Sequence, residues 1–94
     1  MIDLKRILAS TLIEHVGETV RVQGWLHAIR SLGKIHFVIV RDRSGLCQVV
    51  VQDPALFKTL NALQVGSVLT IRATVSETSQ SHLRVELINP DNIS

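Results

Sequence analysis

The stretch "IHFVIVRDRSGLCQVVV", residues 35–51, decides the fold, because it encodes two strands and the tight turn that joins them. Apolar residues dominate residues 35–41 and 46–52, and each run has the length of a strand. The segment DRSG between them has turn chemistry, since Gly45 can adopt the positive φ that a hairpin turn requires. The sequence therefore predicts a β-hairpin at the centre of the chain.

Alternation along the two strands sorts their side chains into an inner and an outer set. Gln48 and Gln52 belong outside, because burial of an unpaired amide is costly. On the first strand the parity is less decisive, although Arg41 favours the outside for its own set, which includes Phe37. A phenylalanine in a strand is more often a core residue. The pattern alone therefore leaves Phe37 open between core and surface.

The segment before the hairpin predicts a helix and a strand. Apolar residues at roughly helical spacing within residues 5–16 predict a short N-terminal helix, which Gly17 ends. From residue 18 the apolar period changes to two, which is typical of a half-buried strand. Gly24 predicts a bulge or a sharp bend in that strand, and we expect a turn around Gly33 in the segment RSLGK.

The segment after the hairpin predicts a helix and two further strands. Asp53 and Pro54 suit the N-cap and the first position of a helix, and Gly66 suits its end. Residues 67–77 show the clearest alternation in the chain. A polar loop, TSQS, leads to a last strand that we expect to stop at Asn89-Pro90. Three residues of that strand are expected to face inward: Leu83, Val85 and Leu87.

These elements predict an all-β fold, a five-stranded OB-fold Greek-key barrel with a helix between strands 3 and 4 and a short N-terminal helix. We take residues 1–94 as one domain, since 94 residues support a single compact core. An SH3-like barrel is the alternative, but the helix after the third strand disfavours it. In an OB-fold, the face of strands 2 and 3 binds single-stranded nucleic acid or oligosaccharide.

Composition excludes several classes of protein. An apolar fraction of 46% excludes a disordered chain, and the net charge of +2 permits a polyanionic partner. The single cysteine, Cys47, excludes a disulfide framework. No apolar run approaches the roughly 20 residues of a membrane span, and the N-terminus does not read as a signal peptide, so we expect a cytoplasmic protein with no membrane partner. Without a Gly-rich phosphate loop or a recognisable triad, no cofactor is expected for this chain.

Five short motifs together resemble a known family. They are GW at 24–25, RSLG at 30–33, IHF at 35–37, VRDRSG at 40–45 and QVVV at 48–51. Residues 16–51 closely resemble the N-terminal anticodon-binding domain of class IIb aminoacyl-tRNA synthetases, nearest to the aspartyl enzymes. The resemblance covers the whole chain as a domain and thins after residue 53.

The resemblance implies a tRNA anticodon loop as the partner. In the family, the residue matching Phe37 stacks on the middle anticodon base, a uridine, and the residue matching Gln48 bonds that base. The residue matching Arg30 contacts the anticodon stem or loop. A glutamate on the last strand helps to read the first anticodon base, and Glu86 is the nearest candidate.

Two more basic residues lie on the turns beside this face. Lys34 follows the first turn and Arg43 lies in the second, and we place both near RNA phosphate, together with Arg30. The chain departs from the family pattern at Ala28, where a basic residue is common, and at Ser31, where an acidic residue is usual. Both departures bear on the strength of backbone contact.

The resemblance also limits what this chain is expected to do. The family continues past the position of Ser94 into a catalytic domain that uses ATP and Mg, and the sequence contains no class II catalytic motif. This polypeptide is therefore not expected to activate an amino acid, whether it is an excised domain or a free-standing relative. The middle uridine is shared by aspartate, asparagine and lysine anticodons, so the cognate tRNA stays open.

Two other functions stay open at this point. One is a protein-interaction or dimerisation barrel, since in the family this domain packs near the subunit interface of a homodimeric enzyme. The other is a general binder of single-stranded nucleic acid. The chain has only three large aromatic residues, Trp25, Phe37 and Phe57, and Phe57 belongs to the helix, so a platform for several bases is poorly supported.

Overall fold

The computed structural model describes residues 6–78 and 85–93, apart from the side chains of residues 89 and 91–93. Within these residues the chain forms a closed barrel with the strand order β1-β2-β3-β5-β4, which confirms the predicted fold. The elements are a 3-10 helix (Ala9–His15), β1 (Thr19–Leu32), β2 (Ile35–Asp42), β3 (Gly45–Val51), α1 (Pro54–Asn61), β4 (Val68–Glu77) and β5 (Val85–Ile93). Neighbouring strands are antiparallel except β3 and β5, which are parallel.

The interior of the barrel is filled by one set of alternate side chains from every strand. On β2 and β3 that set is Val38, Val40, Val49 and Val51, all buried as the alternation requires. Leu12 of the 3-10 helix and Leu60 of α1 add to the same core. Burial of each such side chain contributes about 1.5–3 kcal/mol, so this cluster is the main source of stability.

β1 bends around the barrel, because its first half pairs with β4 and its second half with β2. The predicted bulge at Gly24 is displaced, since the register shift lies between Leu26 and Ala28. Gly24 serves a different purpose. A Cβ there would lie 2.3 Å from the carbonyl oxygen of Arg41, so only glycine allows the two strands to approach this closely.

The N-terminal helix is shorter than predicted, and it is a 3-10 helix. The backbone before it is not helical, since the Ile7 amide donates to the Arg21 carbonyl at 2.8 Å. The helix begins where the Asp42 carboxylate accepts from the Ala9 amide at 2.8 Å. Val16, which the helical pattern included, lies beyond the helix and is 43% exposed.

The start of α1 is as predicted. Asp53 is the N-cap, its Oδ1 accepts from the Ala55 amide at 2.9 Å, and Pro54 takes the first position. The helix ends at Asn61, earlier than the predicted end at Gly66. Gly66 instead occupies the turn before β4, with φ +96°.

β5 continues past the predicted end at Asn89-Pro90 to Ile93. The reason is a bulge, because residues 89–91 of β5 lie opposite Ala73 alone. The extra residues let the strand accommodate Pro90, which has no N–H for the ladder. Val85 and Leu87 are buried as predicted, whereas Leu83 and most of the polar loop before it fall outside the described residues.

Candidate nucleic-acid interface

The outer face of β1, β2, β3 and β5 carries side chains in rows across the strands. Phe37 pairs with Arg30 on one side and with Val50 on the other, and the register of β5 brings Ile88 to the end of that row. A neighbouring row is built in the same way from Ala28, Ile39, Gln48 and Glu86. Residues from four strands thus form one continuous surface outside the barrel.

Phe37 lies on this outer surface, which settles the choice that the sequence left open. Its neighbour Val38 points into the barrel and is fully buried, so Phe37 points outward. The ring is half-buried between Arg30 and Val50 and does not belong to the core cluster. Part of its surface is therefore available to a flat ligand.

Gln48 and Glu86 come together in the neighbouring row. The Gln48 Nε2 donates to the Glu86 Oε2 at 3.4 Å, a long bond between two half-buried side chains. Gln48 stands diagonally from Phe37 across the β2–β3 pair, at about the 7–8 Å that is usual for diagonal neighbours. The register of the last strand, which the sequence did not fix, therefore places Glu86 on the same face as Phe37.

The basic residues are divided between the two ends of the hairpin. Arg30 is exposed beside Phe37, and Lys34 lies on the β1–β2 turn at the same end of β2. Arg43 lies on the β2–β3 turn at the opposite end, about 20 Å from Phe37 at about 3.3 Å per residue. The structure thus places Arg30 beside the ring and Lys34 at the same end of the hairpin, whereas Arg43 lies at the opposite end.

A groove of about 470 Å³ continues the face beyond Val50. It lies where β3, β5 and the start of α1 meet. Its lining residues are Val50, Gln52, Asp53, Leu56, Ile88 and Pro90. No sequence pattern indicates this groove, because it depends on how far β5 extends and on where α1 packs.

The β2–β3 turn is held by Asp42, which is only 2% exposed. Its carboxylate accepts from the Ser44 hydroxyl at 2.6 Å, from the Ser44 amide at 2.8 Å and from the Ala9 amide at 2.8 Å. Burial by itself raises the pKa of Asp42, but these bonds and one from the Gly45 amide outweigh it and lower the pKa below its usual value. The contact with Ala9 joins residues 33 positions apart, and no local sequence pattern indicates it.

Cys47 lies inside the barrel, on the opposite side of β3 from its neighbour Gln48. Burial, with a smaller effect of the Asp42 carboxylate, raises the pKa of the thiol to about 12. A thiol with so high a pKa stays protonated at neutral pH, and the thiolate is the nucleophilic form. Cys47 is therefore a small apolar core residue here.

The described ranges contain neither a metal-binding cluster nor a membrane-spanning helix. In residues 6–78 and 85–93, no three His, Cys, Asp or Glu side chains are grouped so that they could hold a metal ion. The helices of the same ranges are all too short or too polar to cross a bilayer.

Comparison with known proteins supports a nucleic-acid interface. Residues 20–91 match the tRNA anti-codon family, described as an OB-fold nucleic acid binding domain. An aspartate–tRNA(Asp/Asn) ligase of Methanosphaera stadtmanae is 38% identical over 84 residues, which are 85% of this chain and 19% of that protein. The same ligase of Methanothermobacter thermautotrophicus is 39% identical over 92 residues, which are 92% of this chain and 21% of that protein. The chain therefore spans about a fifth of the length of these curated relatives.

A solved structure is similar over the same barrel. It is the asparaginyl-tRNA synthetase from Pyrococcus horikoshii complexed with asparaginyl-adenylate, with a TM-score of 0.85 and 22% identity over all of this chain and 22% of that one. At this identity the likeness shows the fold alone. The family match covers most of the sequence, including all of β2 and β3 and nearly all of β1 and β5. The chain belongs to the tRNA anti-codon family of OB-fold nucleic acid binding domains.

Proposed function

We propose that this chain is a tRNA-binding module that holds the anticodon loop of an aspartate- or asparagine-type tRNA. The observation that carries the proposal is the Phe37 ring on the outer face of β2 with the Gln48 amide diagonally beside it. Membership of the family, and similarity to aspartate–tRNA(Asp/Asn) ligases, support RNA as the ligand of this face.

An unpaired base stacks on the exposed part of the Phe37 ring. Such stacking contributes about 1–3 kcal/mol per base and tolerates any base, so discrimination has to come from hydrogen bonds. Uridine presents an N3–H donor on its Watson–Crick edge, where cytidine presents an acceptor. Because the Nε2 of Gln48 donates to Glu86, the Oε1 of Gln48 is the atom that faces the base and accepts from N3–H. This arrangement favours a uridine at the middle position.

Glu86 reads the neighbouring base in this proposal. It stands beside Gln48 in the same row, so the base that contacts Glu86 is adjacent to the base over Gln48. A carboxylate only accepts hydrogen bonds when it is ionised, so it selects a base edge that carries donors. The resemblance assigns this role to the first anticodon base, and the position of Glu86 is compatible with it.

Arg30 and Lys34 contact the phosphates on either side of the stacked base. Both are exposed at the end of the hairpin where Phe37 lies. Arg43, at the far end, contacts only a more distant part of the RNA backbone. Since each neutralised phosphate changes the slope of log K against log salt by about 0.7 in single strands, a handful of contacts gives modest affinity with clear salt dependence.

The relatives suggest the larger setting. They are aspartate–tRNA(Asp/Asn) ligases of which this chain spans about a fifth, so we propose that the module recognises the anticodon for such a ligase. Catalysis with ATP and Mg then belongs to other domains. The setting that goes with this proposal is a homodimeric enzyme of the cytoplasm.

A second candidate function is a protein contact, and one patch favours it. Val65 and Val68 are 74% and 79% exposed, and Val68 pairs with Trp25, whose ring is 39% exposed. These side chains lie at the end of the barrel where β4 begins, away from the hairpin end that carries Phe37. Gel filtration at several protein concentrations, with and without an anticodon stem-loop, separates self-association through this patch from RNA binding.

The proposal is tested by the affinity of the protein for an anticodon stem-loop, measured by fluorescence anisotropy. Phe37→Ala is expected to weaken binding about 5- to 100-fold through lost stacking. Gln48→Ala is expected to weaken it about 2- to 10-fold through a lost hydrogen bond. Trp25→Ala is the matched control, since it also removes a partly exposed ring. Trp25 lies on β1 opposite Arg41, which is about 13 Å along β2 from Phe37. If both Phe37→Ala and Gln48→Ala bind as the unmodified protein does, the face is wrongly assigned.

A further inference from the structure

A second hollow of about 580 Å³ lies beside the β1–β2 turn, where the turn faces α1. Apart from Lys34, its residues have no role in the proposed base site. The side chains that matter for its chemistry are Lys34, His36, Gln52, Phe57, Lys58 and Asn61.

The wall of the hollow contains a fixed pair of rings. His36 and Phe57 stack face to face, with their centroids 3.4 Å apart and their planes within 4°. The Ser31 Oγ and the His36 Nδ1 are 2.7 Å apart and share a hydrogen bond, and Phe57 packs against the core. These contacts fix the position of both rings. Both remain half-buried, which leaves part of the pair open to the hollow. A surface that is already ordered loses little entropy when a ligand binds.

The rim of the hollow is cationic. Lys34 approaches from the turn and Lys58 from α1, and both are exposed. None of the eight described residues that line the hollow is acidic. The amides of Gln52 and Asn61 add donors and acceptors at the same rim. An aromatic wall with amides and two cations is the chemistry that recognises a nucleotide, since the base, its polar edge and its phosphate each find a partner.

The hollow also continues the proposed base site. Gln52 borders both this hollow and the groove beside Val50, and Val50 is the cross-strand partner of Phe37. From Val50 to Gln52 the chain advances about 7 Å. An RNA strand that passes from the Phe37 ring along β3 can therefore reach the His36–Phe57 pair with its next nucleotide.

We infer that the hollow is a second nucleotide subsite. It takes the nucleotide that flanks the one stacked on Phe37 on the side away from Glu86, with the base against the His36–Phe57 pair and the phosphate between Lys34 and Lys58. The inference rests on the proposed function, because it requires an RNA strand that crosses Phe37. It adds a base contact made by α1, an element outside the β2–β3 face.

The test uses three anticodon stem-loops: the intact loop, and two loops with an abasic nucleotide on the 5′ or the 3′ side of the middle base. Each is titrated against the unmodified protein and two variants. Phe57→Leu removes the ring but keeps an apolar side chain for the core, and Lys58→Gln removes one exposed charge. Arg6→Gln is the control for charge, since Arg6 lies against the first half of β1. Circular dichroism checks that each variant is folded.

Phe57→Leu is expected to weaken binding of the intact loop about 5- to 50-fold. With one of the two abasic loops, Phe57→Leu and the unmodified protein are expected to bind equally, because the base that the ring contacts is missing. Lys58→Gln is expected to reduce the salt slope by about 0.7, whereas Arg6→Gln leaves it unchanged.

Other results would overturn the inference. If Phe57→Leu weakens all three loops equally, the ring supports the fold and not a base. If Phe57→Leu is unfolded, Lys58→Gln decides, and an unchanged salt slope rejects the subsite. If Phe37→Ala weakens binding while Phe57→Leu and Lys58→Gln do not, only the second subsite is wrong. If none of the three weakens binding, the proposed function itself is wrong.

Discussion

The two faces of the β2–β3 hairpin are made from neighbouring residues and yet differ in almost every property. The inner face carries four fully buried valines, from Val38 to Val51, and ends in one buried carboxylate, Asp42. The outer face carries Phe37, Gln48 and other half-buried side chains that no other part of the described barrel covers completely. Folding buries the side chains of the inner face and leaves those of the outer face partly in contact with water.

This difference shows which residues are needed for the fold and which remain available to a ligand. Burial accounts for the inner valines of the hairpin, and the charge of the buried Asp42 is stabilised by hydrogen bonds. Burial does not account for an aromatic ring and an amide on the outer face, where short polar residues would serve the fold equally well. A bound base would complete the burial of Phe37 and engage Gln48, which is why we place function there.

The largest expected effect separates two valines that are adjacent in the sequence. Val49→Ala removes two buried methyl groups and is expected to lower the free energy of unfolding by about 2–3 kcal/mol. Val50→Ala, on the outer face of the same strand, is expected to lower it by less than about 1 kcal/mol. Urea unfolding measures both. Equal losses would show that the two faces are not distinct in the way the register implies.

The next effect concerns the one charge of the inner face. Asp42→Asn is expected to lower the free energy of unfolding by about 1–3 kcal/mol at pH 7, because the amide is a weaker acceptor for Ala9 and Ser44. The pKa of Asp42 in the folded protein is below its unfolded value of about 3.9, so its ionised form stabilises the fold above that pH. This contribution is lost as the pH falls through the folded pKa.

Urea unfolding of both proteins at a series of pH values from 7 to 2 measures this contribution. The difference between the original protein and Asp42→Asn should shrink at the acidic end of the series, once Asp42 is protonated in both states. Other carboxylates titrate in both proteins and cancel in the difference. A gap that stays constant from pH 7 to pH 2 would mean that the charge of Asp42 does not hold the turn and the 3-10 helix together.

A smaller effect tests how the outer face discriminates between bases. Glu86→Ala removes the acceptor of the Gln48 Nε2. The amide can then rotate and present its oxygen to uridine or its NH2 group to cytidine. The preference for uridine over cytidine at the middle position is therefore expected to fall by about 1 kcal/mol, or about fivefold. Glu86→Gln is the control, because its carbonyl oxygen still accepts from Gln48. An unchanged preference in Glu86→Ala would show that Glu86 does not set the orientation of the amide.

The smallest effect compares the two ends of the hairpin. Lys34→Gln and Arg43→Gln each remove one exposed charge, but only Lys34 lies at the end that carries Phe37. Lys34→Gln is expected to weaken stem-loop binding about two- to fourfold and to reduce the salt slope by about 0.7, with a smaller change for Arg43→Gln. Titrations at several salt concentrations measure the slopes. A larger loss of affinity and salt slope for Arg43→Gln than for Lys34→Gln would place the RNA at the Arg43 end of the hairpin and contradict the assignment.

The sequence predicted those parts of the fold that depend on local patterns. Alternation identified β2, β3 and β4, because a two-residue period specifies which side chains are buried. Asp53 and Pro54 predicted the start of α1, because capping depends only on adjacent residues. The outward position of Gln48 followed from the cost of burying an amide.

Features that depend on pairing between distant residues were missed or misplaced. The bulges at residues 26–28 and 89–91 are set by the partner strands. Gly24 therefore predicted the first bulge at the wrong place, and Asn89-Pro90 predicted the end of a strand where β5 forms a bulge and continues. The 3-10 helix starts at Ala9 because Asp42 binds there, and no pattern in residues 5–16 shows this. The His36–Phe57 stack joins β2 to α1 and left no signal in either element.

The most direct test of the central claim is a thermodynamic cycle between Phe37 and the middle anticodon base. Affinity is measured for the original protein and for Phe37→Ala, each with an intact stem-loop and with a loop that is abasic at the middle position. We predict that Phe37→Ala weakens binding of the intact loop by about 1–3 kcal/mol but changes binding of the abasic loop almost not at all, because the base that stacks on the ring is already missing. Fully additive losses would mean that the base and the ring do not meet, and would contradict the account.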